Sequence, residues 1–297
     1  MDGPIVVGFD GSPESVAATD WAAREALRHR LPLELVHAWP WTEPHVLGSD
    51  DAKRWGRQRL VQREVALRAA LPGVEVSAVH VPDAAPSVLE AAGRNASMLV
   101  LGSRGLGTMR GFLVGSVSQE VLSRAACPVV LVRAGDTAAD EHLVSDEGNP
   151  STDTPFREVA LGLALQHRCD EVVAFAFKSA ALRSAPLRVV HAWAPPYGSE
   201  FMAFAATGSM ANNLAAAERQ ALADALRPGR ERYPHVVVIE EVTLGSAAPA
   251  LVGAVSQAGL LVIGRRTRRT PVGPHLGPVA HAAIHHVSCP VAVVPYR

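Results

Sequence analysis

The sequence predicts an α/β protein built as two tandem copies of one unit, each a mostly parallel sheet with helices on both faces. Three observations point there. The length of 297 residues suits two domains at roughly 100–200 residues apiece. The segment Pro32-Leu33-Glu34-Leu35-Val36-His37-Ala38-Trp39 returns as Pro186-Leu187-Arg188-Val189-Val190-His191-Ala192-Trp193 at an offset of 154, and Cys127-Pro128-Val129 returns as Cys289-Pro290-Val291 at an offset of 162. Within each copy short apolar runs alternate with helical periodicity, and a β-α-β-α order implies parallel strands joined by right-handed crossovers. The expected division is 1–135 for the first copy, 136–156 for a linker and 157–297 for the second copy.

In the first copy Ile5–Phe9 is a short apolar run, as a strand buried on both faces should be. Ser12 is an N-cap and Pro13 suits the first helical position, so a helix runs from there to about Arg30. Leu33–Ala38 is the second strand, Lys53–Leu71 a helix with a solvated face, and Val74–Val79 a strand. Ala85–Arg94 is a helix, Met98–Gly102 a strand, Gly115–Arg124 a helix and Pro128–Arg133 the last strand. Between the copies, Ala134 to Asp153 holds six acidic residues and no lysine or arginine, and is expected to be a flexible, self-repelling linker.

Composition narrows the function. The 28 basic and 29 acidic side chains nearly cancel, which argues against gripping nucleic acid or an anionic membrane, partners that select for a basic excess. Hydrophobic residues make up 48 %, enough for packed cores and too much for wholesale disorder. Aromatics are 5 %, so the cores must be built from Ala, Val and Leu. Only two basic residues are lysines, Lys53 and Lys178, so lysine is scarce as a catalytic base or phosphate clamp. Cys127, Cys169 and Cys289 are odd in number and widely spaced, unlike a disulfide framework or a zinc site. The opening Met1-Asp2-Gly3-Pro4 carries no positive leader, and Ile5–Phe9 is too short for a signal peptide or a span. A cytoplasmic chain with reduced thiols is the expectation.

Parallel sheets bind ligands outside the carboxyl ends of their strands, where strand order reverses. That directs attention to the residues after Phe9, Ala38 and Gly102. Leu101-Gly102-Ser103-Arg104-Gly105 is followed, after nine residues, by Gly115-Ser116-Val117-Ser118. Glycines let backbone approach an anion closely, and the first amides of a helix favour phosphate. Ser116 and Ser118 add hydroxyl donors, so a triphosphate could be held here without lysine. The spacing fits neither a Walker loop nor a dinucleotide fingerprint. Geometry alone also fits a flexible connection with a helix cap, and Arg104 and Arg110 fit either phosphate contact or simple exposure.

At these residues the chain resembles the universal stress protein family, over essentially its whole length and as two copies. The resemblance rests on Val6-Val7-Gly8-Phe9-Asp10-Gly11-Ser12, on the strand ending His37-Ala38-Trp39, on the Gly-x2-Gly-x9-Gly-Ser motif and on Cys127-Pro128-Val129-Val130. It implies a Rossmann-like, adenine-nucleotide α-hydrolase-like domain with five parallel strands in the order 3-2-1-4-5. It implies ATP as the ligand, with a magnesium or manganese ion held largely by phosphate oxygens and water. On matching positions, Asp10 would meet the ribose or the phosphate–metal end, and Gly8 and Ala38 would line the adenine and ribose pocket. Gly102, Gly105, Gly115, Ser116, Val117 and Ser118 would cradle the phosphates. It further implies that the last strands of the two copies pair antiparallel, Val129–Val132 against Val291–Val294, with a homodimer as a further association.

The second copy departs from this pattern. Ala164, Leu165 and Gln166 stand where the first copy has Asp10, Gly11 and Ser12. Gly105 has become Thr267 and Ser116 has become Pro278, which removes a backbone donor. Leu165 and Thr267 are expected to crowd the site, so one nucleotide per chain is the expectation. Arg265, Arg266, Arg268 and Arg269 read either as a solvated basic loop or as a replacement anion or partner site. His281, His285 and Cys289 fall at helical spacing that could suggest a metal, but a capped helix with solvated histidines is the plainer reading. His37 and His191, at equivalent strand ends, read as structural rings, and Trp39 and Trp193 as packing or rim residues. The resulting function is a nucleotide-binding regulator of stress or dormancy with an unidentified protein partner. The rivals are a slow ATPase or nucleotidyl-transfer relative, which lacks a positioned base or lysine here, and a nucleotide-independent scaffold.

Overall fold

The computed structural model describes residues 3–39, 49–105, 112–113, 115–194, 209–267 and 276–297. The first copy runs β1 (Ile5–Gly8), α1 (Pro13–His29), β2 (Leu33–Ala38), α2 (Ser49–Ala70), β3 (Val76–Val81), α3 (Ala85–Gly93) and β4 (Met98–Gly105), then a short β5 (Phe112–Leu113), α4 (Ser116–Arg124) and β6 (Val129–Arg133). The second runs β7 (Val159–Gly162), α5 (Asp170–Arg183), β8 (Leu187–Trp193), α6 (Ser209–Arg232), β9 (Val238–Leu244), α7 (Ala247–Ala254), β10 (Leu260–Arg266), α8 (Pro278–His286) and β11 (Val291–Tyr296).

The strand order is β3-β2-β1-β4-β6 in the first copy and β9-β8-β7-β10-β11 in the second, which is 3-2-1-4-5 twice. The two halves share one sheet, because β6 and β11 pair antiparallel with Leu131 opposite Val291 and Val129 opposite Val293. Successive strand residues face opposite sides, so two core layers form. Ile5, Val7, Trp21, Leu161 and Phe177 pack beneath α1, α2, α5 and α6. Val6, Leu99, Leu122, Leu261 and Ile284 pack beneath α3, α4, α7 and α8. Ser12 caps α1 by accepting from Ser15 N, with Pro13 in the first turn.

Three expectations change. The third strand starts two residues later, at Val76, because Gly73 and Val74 complete the turn out of α2. β4 continues past Gly102 to Gly105, because β5 folds back on it and pairs Gly105 with Phe112. The acidic segment is not a flexible tether. It carries a short 3-10 turn, Ala138–Glu141, and the side chain of Glu141 is 1 % exposed. Two of its carboxylates meet arginines: Arg24 Nε donates to Glu141 at 2.6 Å, Arg28 to Glu141 at 2.5 Å, and Arg24 to Asp136 at 3.2 Å.

The same cluster joins the copies. Arg183 of α5 donates to Glu25 of α1, both almost fully buried. Burial by itself raises the Glu25 carboxyl, but Arg183, His29 and Arg28 together outweigh it and hold the group well below the usual carboxylate range. Breaking one partner of such a buried pair costs about 3–5 kcal/mol. Asp136 goes the other way: burial, with Glu141 and Asp140 close by, pushes it up to about 7 despite Arg24. On the opposite face Arg265 donates to the Ser123 carbonyl at 2.9 Å and to the Ala125 carbonyl, at the end of α4. Arg133 answers it by donating to the Val287 carbonyl at 2.6 Å, at the end of α8. Arg265 is therefore a buried clamp between copies and not part of a solvated loop; Arg268 and Arg269 lie outside the described residues.

Candidate functional site

A pocket of about 340 Å³ opens at the carboxyl ends of β1, β2 and β4 and is closed by the first turns of α1, α3 and α4. Eight of the nine residues singled out from the sequence line it: Gly8, Asp10, Ala38, Gly102, Gly115, Ser116, Val117 and Ser118. Gly105 ends β4, where it pairs with Phe112 of β5.

Each position has a local reason. Gly11 has φ +81°, a left-handed conformation that turns the chain sharply after β1. The turn leaves Asp10 Oδ1 accepting from Ser12 N at 2.9 Å, while Gly11 N donates to Ser15 Oγ at 3.1 Å. Partial burial raises the Asp10 carboxyl, but hydrogen bonds from Ser12 and Ser15 outweigh this and hold it below its ordinary value, so it is ionised at neutral pH. A Cβ on Gly102 would stand 2.5 Å from the Glu14 carbonyl carbon, so glycine here lets α1 rest directly on β4. A Cβ on Gly8 would press on Leu101 and Leu89, at 2.9 and 3.2 Å. Gly115 is the N-cap of α4 and makes no side-chain cap bond, so no such bond occupies the leading amides of α4. A Cβ on Gly115 would meet nothing within 4 Å. Ser118 Oγ reaches the Gly102 carbonyl at 3.5 Å, tying helix to strand.

Glu14, Ser12, Ser15 and Leu89 also line the pocket and were not singled out beforehand as site residues. The helix start at Ser12-Pro13 signals that the next turn faces the strand ends; only the packed sheet shows that it turns toward this pocket. His37 is structural: its Nδ1 lies 2.7 Å from the Phe9 carbonyl and its ring stacks on His80 at 5.2 Å. His191 repeats the first contact, Nδ1 to the Leu163 carbonyl at 2.9 Å, and adds Glu218 at 3.0 Å.

The second copy keeps a cavity of about 270 Å³ at the equivalent place, lined by Gly162, Ala164, Gln166, Cys169, Gly264 and Tyr296 among others. Two of the expected obstructions are elsewhere. Leu165 packs on the core, and Thr267 is tied back to the Tyr296 carbonyl through Oγ1 at 2.9 Å. What fills space is Tyr296, whose ring lies where a Cβ on Gly264 would come within 2.7 Å. Pro278 starts α8. Among the described residues no group of His, Cys, Asp and Glu is placed to hold a metal, and the His281 and His285 rings pack at 4.2 Å. No described helix is long and apolar enough to cross a membrane.

A tandem pair of doubly wound 3-2-1-4-5 sheets, with a glycine- and serine-lined pocket at the strand ends of the first, defines a tandem Rossmann-like α/β protein. The chain belongs to the universal stress protein family, whose sequence profile matches residues 1–133 and 155–295. It is similar to a universal stress protein of Mycobacterium tuberculosis, 32 % identical over 309 residues covering 97 % of this chain and 95 % of the relative. A universal stress protein of Mycolicibacterium smegmatis is 30 % identical over 312 residues, covering 99 % and 97 %. The crystal structure of a universal stress protein from Archaeoglobus fulgidus matches the fold with a TM-score of 0.71 at 15 % identity, covering 99 % of both chains.

Proposed function

We propose that the first copy binds an adenine nucleotide, ATP, and that the protein is a nucleotide-dependent regulator in a stress or dormancy response, acting in the cytoplasm. The observation that carries this reading is the convergence of Gly8, Asp10, Ala38, Gly102 and Gly115–Ser118, spread across the first copy, on one pocket. The pocket has a division of character that suits a nucleotide. Leu89, Val36 and Ala38 supply an apolar end for a base, and the start of α4 supplies amides and two hydroxyls for phosphates. Asp10 and Glu14 are the carboxylates of the described lining, and with Asp10 ionised they suit a magnesium or manganese ion travelling with the phosphates. A nucleotide bound here would shift the protein as far as it prefers one conformation, which is how occupancy would reach a protein partner.

Calorimetric titration of ATP with magnesium into the wild type, Asp10→Ala and Gly115→Asp tests this. One site per chain is expected, with micromolar affinity, about −8 kcal/mol. Absence of binding, or indifference to Gly115→Asp, would refute the reading, and two equivalent sites would refute its assignment to the first copy alone.

A further inference from the structure

The cavity of the second copy stays open although its described polar lining is reduced to Gln166, Cys169 and the Tyr296 phenol. Ala164 replaces Asp10, Cys169 replaces Ser15 and Ala280 replaces Ser118, and the described lining carries no charged side chain. Leu251, Ile263 and Val279 supply an aliphatic wall. The Cys169 thiol donates to the His167 carbonyl at 3.4 Å and the Ala164 carbonyl at 3.6 Å, and burial pushes both it and the Tyr296 phenol up from their ordinary values, so both are neutral at physiological pH. Arg266 Nη1 lies 3.0 Å from His167 Nε2, linking the end of β10 to the loop after β7.

A phosphate would lose its hydration without meeting a countercharge among the described lining residues, and Pro278 gives α8 one amide fewer to offer it. An apolar molecule has no charge to desolvate and meets the aliphatic wall. An apolar protein cavity of about 150 Å³ stays dry and takes up benzene, and this one, at about 270 Å³, has room for a second ring. We propose that the second copy holds a separate binding site for a compact, uncharged, largely apolar molecule of one or two fused rings. The proposal does not depend on nucleotide binding by the first copy.

The test is titration of the full chain, methyl-labelled at Ile, Leu and Val, with indole as the probe. Saturable shifts are expected for Leu251, Ile263 and Val279, while the first-copy equivalents Leu89, Leu101 and Val117 stay in place. Ala192→Leu and Ala280→Leu, two independent ways of filling the cavity, should each weaken indole by about tenfold or more. Undisturbed Leu89, Leu101 and Val117 signals report that a variant is folded. AMP at the same concentrations should leave the second-copy methyls unmoved. The proposal is overturned by an absence of shifts up to the solubility of indole, by equal shifts in both copies, by second-copy shifts with AMP, or by a folded filled variant that binds indole like the wild type.

Discussion

The pocket of the first copy and the cavity of the second stand at the same place in the same topology, on strands that form one continuous sheet. Their glycines match, Gly8 with Gly162 and Gly102 with Gly264, and each pair leaves room for a neighbour. The neighbours differ. Gly102 receives the backbone of α1 beside Glu14, whereas Gly264 receives the ring of Tyr296 from the last strand. The glycines therefore serve packing in both copies, and ligand chemistry is set by the residues around them: Asp10, Ser116 and Ser118 against Ala164, Pro278 and Ala280. A duplicated fold keeps its interior because every strand depends on it, while a few rim positions can change without cost to the sheet.

The sharpest contrast outside the pockets lies on α1 and α5. Glu25 sits in the buried cluster, and the position 154 residues later is Ser179, on the helix that supplies Arg183. Glu25→Ala should cost about 3–5 kcal/mol in urea unfolding, because Arg183 is left buried without its partner. Ser179→Ala should cost ~1 kcal/mol or less. Equal losses would show that the join between copies does not run through this pair.

Next in size is Gly115→Asp against Gly277→Asp. The fold has space for a side chain at both positions, so neither should lower stability. Only the first should affect ATP, weakening it by about 100-fold, or ~2.7 kcal/mol, through a carboxylate placed beside the phosphates. A comparable loss from Gly277→Asp would move the nucleotide site to the second copy.

Arg265→Ala should cost ~1–3 kcal/mol of stability by leaving the Ser123 and Ala125 carbonyls without their donor, and should leave ATP affinity at the wild-type value. A changed affinity would mean that the seam communicates with the pocket.

A further contrast is a pH dependence in the segment between the copies. Folded Asp136 keeps its proton up to about pH 7, whereas its ordinary value is 3.8. Its contribution is full below that ordinary value and is lost as pH rises through 7. Glu25, depressed in the fold, contributes in the opposite sense, above its unfolded value and lost toward acid. Asp136→Asn should thus lose less stability than wild type between pH 5 and 8. Identical slopes would show that Arg24 holds Asp136 ionised throughout.

The duplication, the parallel sheets and most element boundaries were legible in the chain, and so was the spacing of residues that meet at one pocket, because each depends on short-range signals. Periodicity marks a strand or helix locally, Ser12-Pro13 marks a helix start locally, and a glycine motif keeps its spacing whatever surrounds it. The extension of β4 to Gly105 was hidden, because its partner strand β5 has only two residues. Tyr296 entering the second cavity, Arg265 turning inward as a clamp and the acidic segment docking through Glu141 were decided by the tertiary structure alone. In each case the deciding contact is with a residue distant in sequence, Cys169 or Gly264, Ala125, and Arg24 or Arg28. A run of like charges reads as self-repelling until the fold sets arginines against it, and a side chain's environment is fixed only when the sheet has closed.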